Sequence, residues 1–113
     1  MIIYHNTRCK KSRGGLQHLQ DKGIEPEIRE YLKDDAFTKE QLKDVLKKLG
    51  KKPQDIIRKQ EKEFKENYKG KDLTEDKWIE ALVEHPKMIQ RPIVIKDNKA
   101  VIGDPPENID ALL

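Results

Sequence analysis

The chain has 113 residues, room for one ordinary domain and not for two. Charged residues make up 40% and hydrophobic ones 35%, so a modest core under a wet surface is expected. The 24 Lys and Arg are interleaved with 21 Asp and Glu, as in RKQEKEFKENYKGKD, which argues for solvated helix faces and against a nucleic-acid groove. No apolar run approaches the roughly 18 residues of a membrane span. The start, MIIYHN, lacks the charged and apolar regions of a secretory signal. The one cysteine, Cys9, cannot form an internal disulfide. A single cytoplasmic domain over residues 1–113, with its thiol kept reduced, is the expectation.

Ile2 to Tyr4 predict a short buried strand, followed by the polar turn HNTRC. A helix is expected from about Lys11 to Lys22, with Leu16 and Leu19 inward and Gly23 just past its end. After Pro26, EIREYL reads as a second strand in which Ile28 alternates with charges. Thr38 to Gln41 fit a capping box, and Leu42, Val45, Leu46 and Leu49 share one helix face up to Gly50. Pro53 suits the first turn of another helix carrying Ile56 and Ile57. Thr74 suits the cap of a third, with Trp78, Ile79, Leu82 and Val83 inward and Pro86 as its stop. Two strands, Pro92–Ile95 and Lys99–Ile102, flank a tight turn in which Asn98 is the residue expected to turn left-handed. PPENIDALL predicts a last helix opened by proline.

A helical crossover makes the first two strands parallel, and a hairpin makes the last two antiparallel. The fold class is therefore α/β, a mixed four-stranded sheet with flanking helices. A thioredoxin-like sheet meets these terms, with a helical insertion at about 38–85 between strands 2 and 3.

A lone cysteine is most often a small buried filler. Cys9, however, lies where a strand hands over to a helix. The first N–H groups of a helix lack internal partners, and the dipole adds partial positive charge there. Both favour a thiolate and an oxyanion beside it. Arg8, Lys10, Lys11 and Arg13 add cations. Ser12 stands where a dithiol motif needs a second cysteine, so any disulfide chemistry must use an outside thiol. Gly15 stands where a phosphatase loop has arginine, no Walker loop occurs, and His5, His18, His85 and Cys9 give no zinc spacing. Arg58 and Arg91 are read as surface charges that are also of the type that grips oxyanions. Pro92 opens a strand, which is ordinary for proline unless its bond is cis.

The series HNxxCxxSR, DIIR, EHPKMIQRPIV and GxPPE, in this order and over essentially the whole chain, resembles the glutaredoxin-dependent arsenate reductases of the ArsC family, which have a thioredoxin-like fold. The resemblance implies that Cys9 is the nucleophile and that His5, Asn6, Ser12 and Arg13 form its loop. It implies that Arg58 and Arg91 bind the oxyanion and that Pro92 is a cis-proline facing the cysteine. It implies glutathione as co-substrate, glutaredoxin as partner, arsenate as substrate, and neither a bound cofactor nor a metal. A monomer that binds neither nucleic acid nor membrane is expected. Well-known members carry a third arginine before the C-terminal proline, where this chain has Asp104. Two other readings fit the same resemblance. One is an Spx-like regulator that binds RNA polymerase, although that branch usually carries a CxxC pair. The other is a glutathione-linked thiol reductase with a different substrate.

Overall fold

The computed structural model describes all residues from Met1 to Leu113. The chain forms two compact units, one of Met1–Asp35 with Arg91–Leu113 and one of Ala36–Gln90.

The first unit holds β1 (Ile2–Tyr4), α1 (Lys10–Asp21), β2 (Glu27–Arg29), β3 (Ile93–Lys96), β4 (Lys99–Ile102) and a 3-10 helix, Pro106–Leu112. The sheet order is β2-β1-β3-β4. β1 runs parallel to β2 and antiparallel to β3, and β3 pairs antiparallel with β4. This is the mixed, thioredoxin-like sheet that the crossover through α1 and the hairpin require. Ile3 stands opposite Val94, and Val94 opposite Val101. Side chains at facing positions share a sheet face, so these three make one apolar row. Leu19 of α1 and Ile109 and Leu112 of the 3-10 helix close over it as a core. The last element is 3-10 rather than α-helical, and its spacing suits the core. Ile109 and Leu112 are three residues apart, so at three residues per turn they fall on one side.

β2 is shorter than the six residues of EIREYL. The chain leaves the sheet at Glu30, whose N–H donates to the Asp35 carboxylate at 3.3 Å while its carbonyl accepts from the N–H groups of Lys33 and Asp35. Tyr31 then turns inward and is buried. Ile28 shares the row of Ile3 but is 44% exposed, because β2 is the edge of the sheet. At the β3–β4 hairpin the left-handed residue is Asp97, with φ 55°, one position before the Asn98 expected from side-chain type. Both residue types tolerate that region, and the loop geometry selects the first of them.

The second unit holds α2 (Lys39–Leu49), α3 (Lys62–Asn67) and α4 (Glu75–Glu84), with 3-10 helices at Pro53–Ile56 and Pro86–Met88. Thr38 caps α2 as expected: its hydroxyl accepts from Gln41 N–H at 3.1 Å, and the Gln41 side chain accepts from Thr38 N–H at 2.9 Å. Such a cap contributes about 1 kcal/mol. Gly50 ends the helix in the left-handed region, with φ 66°. Leu42, Val45 and Leu46 are buried and Leu49 is half-buried. Thr74 caps α4, which buries Trp78, Ile79, Ala81 and Leu82 and leaves Val83 half-buried.

Two elements depart from expectation here. The segment after Pro53 is a single 3-10 turn, not a helix. Ile57 forms an antiparallel bridge with Ile89, and the N–H groups of Arg58 and Gln90 donate to Met88 and Ile56 carbonyls at 2.7 and 2.9 Å. That extended pairing draws the chain out of helical geometry. α3 was not anticipated at all, and no residue of it is fully buried. It is held by aromatic rings, with Phe64 stacked 6.4 Å from Trp78 and Tyr68 at 5.8 Å from the same indole. No helix of the protein is long and apolar enough to cross a membrane.

Candidate functional site around Cys9

Cys9 is the N-cap residue of α1, in extended conformation with φ −94° and ψ 123°. The turn that delivers it is held from within. Cys9 N–H donates to Asn6 carbonyl at 3.0 Å, and Arg8 N–H donates to Asn6 Oδ1 at 3.1 Å. Asn6 N–H in turn donates to Ser12 Oγ at 2.9 Å, which ties the loop to the third residue of the helix. Ser12 Oγ also lies 2.6 Å from His5 Nδ1, and both side chains are buried. Burial lowers the His5 pKa. The Arg13 charge acts in the same direction, and Glu30 and Ser12 oppose it. Arg13 is exposed and donates to the Thr7 carbonyl at 3.1 Å. His5, Asn6, Ser12 and Arg13 are thus drawn together as the frame of the loop.

The Cys9 sulfur is half-buried and free. It makes no regular capping hydrogen bond to the helix. Burial on its own would raise its pKa. A hydrogen bond from the Arg91 guanidinium and the N–H groups of Ser12 and Lys11 outweigh that, and the thiol lies below its ordinary value. The residue that does most of this comes from the far end of the sequence. Arg91 lies two residues before β3, and β3 pairs with β1, so the topology sets it beside the turn that follows β1. Burial works against its charge, but hydrogen bonds to Cys9 and to Tyr31 hold it ionised. Tyr31 was not singled out from the sequence. A tyrosine in an amphipathic strand pattern carries no sign that it will serve a distant arginine.

The Arg91–Pro92 peptide is cis, as is Asp104–Pro105, which the sequence did not announce. Pro92 is buried, and its carbonyl accepts from Gly103 N–H at 2.8 Å. A Cβ on Gly15 would stand 2.6 Å from Pro92 Cγ, inside van der Waals contact with a rigid ring. Gly15 therefore lets α1 lie directly on the proline that follows Arg91. Gly15→Ala is expected to destabilise the protein by about 1–3 kcal/mol, the usual range for overpacking, and to show as a lower thermal midpoint. An unchanged midpoint would mean that Pro92 moves aside freely.

Asp104 is not a loose charge. Its Oδ2 lies 3.1 Å from Lys11 Nζ, and Lys11 is the second residue of α1. Arg58 belongs to the second unit, where Glu61 holds its guanidinium as an ion pair and its backbone N–H is spent on Met88.

The arrangement sets a thiol at the start of a helix with a guanidinium on its sulfur. Comparison with known proteins agrees in length and detail. The ArsC family profile matches residues 4–112. The chain is 44% identical over 111 residues to the uncharacterized protein YfgD of Escherichia coli, covering 95% of this chain and 91% of that one. It is 39% identical over 115 residues to an arsenate reductase of Haemophilus influenzae, covering 100% of this chain and 98% of that one. The solved structure of an arsenate reductase from Vibrio cholerae superposes with a TM-score of 0.92 at 38% identity, covering 99% and 96% of the two chains. From its first strand to its last helical turn, the chain belongs to the ArsC family.

Proposed function

We propose that the protein is an oxidoreductase that reduces arsenate to arsenite through Cys9, with glutathione and glutaredoxin as the thiol donors. The observation that carries this reading is the Arg91 guanidinium on a Cys9 thiol whose pKa is lowered. The thiolate attacks arsenic, an oxygen leaves as water, and a cysteine–arsenate adduct forms. Two outside thiols then supply two electrons and end as a disulfide, arsenic falls from the +5 to the +3 state, and Cys9 is released. The outside thiols are needed because Cys9 is the only cysteine. Arg91 steadies the thiolate and then the oxyanion. His5, Asn6, Ser12 and Arg13 keep the loop in the shape that presents the sulfur. Names and full-length similarity of the relatives support the substrate.

The test is a coupled assay with arsenate, glutathione and glutaredoxin, followed by loss of NADPH through glutathione reductase. Turnover that needs all three components is expected, and its absence would refute the reading. Asp104 gives a second measure. Its carboxylate is paired with Lys11 and partly exposed, so its repulsion of an oxyanion is on the order of 1 kcal/mol. Asp104→Arg is expected to lower KM for arsenate severalfold with little change in kcat. An unaltered KM would place Asp104 off the path of the substrate.

A further inference from the structure

Three groups that the sequence scatters along the chain, Cys9, Tyr31 and Arg91, come out at one end of the sheet of the first unit. β1 and β2 are parallel, so the segments that follow them leave the sheet at the same end. β3 is antiparallel to β1, so the segment before it enters at that end too. Cys9 follows β1, Tyr31 stands two residues past β2, and Arg91 stands two residues before β3. The parallel pairing runs on beyond the strands. His5 N–H donates to the Arg29 carbonyl at 2.9 Å, which keeps the exit of β2 against the turn that carries Cys9.

Tyr31 is only 1% exposed. A hydroxyl taken out of water costs stability unless a partner meets it. Here the partner is Arg91, whose guanidinium bonds both the Tyr31 hydroxyl and the Cys9 sulfur. The backbone beside Arg91 is fastened, since the Pro92 carbonyl accepts from Gly103 N–H at 2.8 Å. The arginine side chain beyond it still turns about several bonds, and that freedom must be removed for the guanidinium to stay on the sulfur. A guanidinium carries its donors in one rigid plane, so a bond at one edge sets the direction of the others. Tyr31 is itself held by its turn, where the Glu30 carbonyl accepts from the N–H groups of Lys33 and Asp35 at 2.9 and 3.3 Å. We infer that Tyr31 is a positioning residue for Cys9: its buried hydroxyl accepts from one side of the Arg91 guanidinium and thereby keeps the other side on the sulfur. The inference deepens the reading of Cys9 as the nucleophile by adding to it a residue that acts through Arg91.

The test is alkylation of the whole protein by iodoacetamide across pH, without arsenate. Cys9 is the only cysteine, so the rate reports on it alone. Tyr31→Phe keeps the buried ring and removes the oxygen. It is expected to slow alkylation at pH 7 about three- to tenfold, the range for loss of one hydrogen bond. The midpoint of the pH–rate curve should rise while the rate at high pH stays that of the wild type. The N–H groups of Ser12 and Lys11, which also act on the sulfur, are untouched by this change. A tyrosine that merely fills space would alter the thermal midpoint and leave the titration where it was. In an Arg91→Met background, Tyr31→Phe is expected to have no further effect on the curve. Identical curves for wild type and Tyr31→Phe overturn the inference, and so does equal slowing with and without Arg91. The wild type gives a second measure that needs no variant to fold. Nitrogen NMR should find rotation of the Arg91 guanidinium restricted, and a freely turning group overturns the inference as well. Arsenate turnover on the same preparations separates the two readings. A shifted curve without turnover in the wild type is a failure of the substrate, and an unshifted curve with turnover intact is a failure of the role given to Tyr31.

Discussion

Cys9→Ser is expected to bring arsenate reduction to the uncatalysed background while making the protein slightly more stable. The two halves of this expectation have one cause. Serine is among the best N-cap residues, because its oxygen accepts from the first free N–H groups of the helix. Cys9 occupies that position and makes no regular capping bond. The N–H groups of Ser12 and Lys11 do act on the sulfur, but sulfur is a weaker acceptor than oxygen, so the sequence gives up part of the roughly 0.5–2 kcal/mol that a serine cap contributes. A serine hydroxyl stays protonated beside Arg91 and is a poor nucleophile toward arsenic. The coupled assay should read no rate above the blank, and a thermal melt should read a midpoint a few degrees higher. Retained turnover would remove Cys9 from the chemistry. A lower midpoint would mean that the thiol supports the fold in a way a hydroxyl does not.

Arg91→Met is expected to slow alkylation of Cys9 by iodoacetamide at pH 7 by about 10- to 100-fold. A hydrogen bond to a charged group contributes about 1.5–3 kcal/mol, and each 1.4 kcal/mol is tenfold in the thiolate population that reacts. The direction follows from Arg91 being the chief group that lowers the Cys9 pKa. Without it, burial is less well opposed and the midpoint of the pH–rate curve moves up. At pH values above both midpoints the two proteins should react alike. The stability effect has the matching sign. A thiol whose folded pKa is depressed adds stability that is full above its unfolded value, about 8.5, and that fades as pH falls through the folded one. Arg91→Met should therefore lose more stability at high pH than at low. Arg91→Lys keeps a charge but not the planar fork, and should recover part of the rate. Equal alkylation profiles for wild type and Arg91→Met would show that the helix end alone sets the thiol.

Much of the fold was legible because its signals are local. Proline and glycine bound the segments, Thr38 and Gln41 spell out a cap, and the hairpin is announced by its polar turn. What escaped was set by partners distant in sequence. Pro53 promised a helix until Ile57 found Ile89. α3 has no aliphatic period, and its fixing to Trp78 by two rings shows only in three dimensions. Cys9 and its loop could be read from type and position. The link from Arg91 to the sulfur could only be suspected from resemblance, since nothing local distinguishes that arginine from a surface charge. Tyr31 and the Lys11–Asp104 pair were beyond reach for the same reason. Asp104 read as a bare negative charge becomes a paired one once its lysine is seen.

The first unit is assembled from both ends of the chain, with β1 between a strand that follows it closely and one that arrives late. On the ribosome the cysteine is made early and the arginine near the end. A growing polypeptide therefore exposes an ordinary mercaptan, without its guanidinium, for most of its synthesis. The part of the lowered thiol pKa that Arg91 contributes is therefore in place only once β3 has paired with β1.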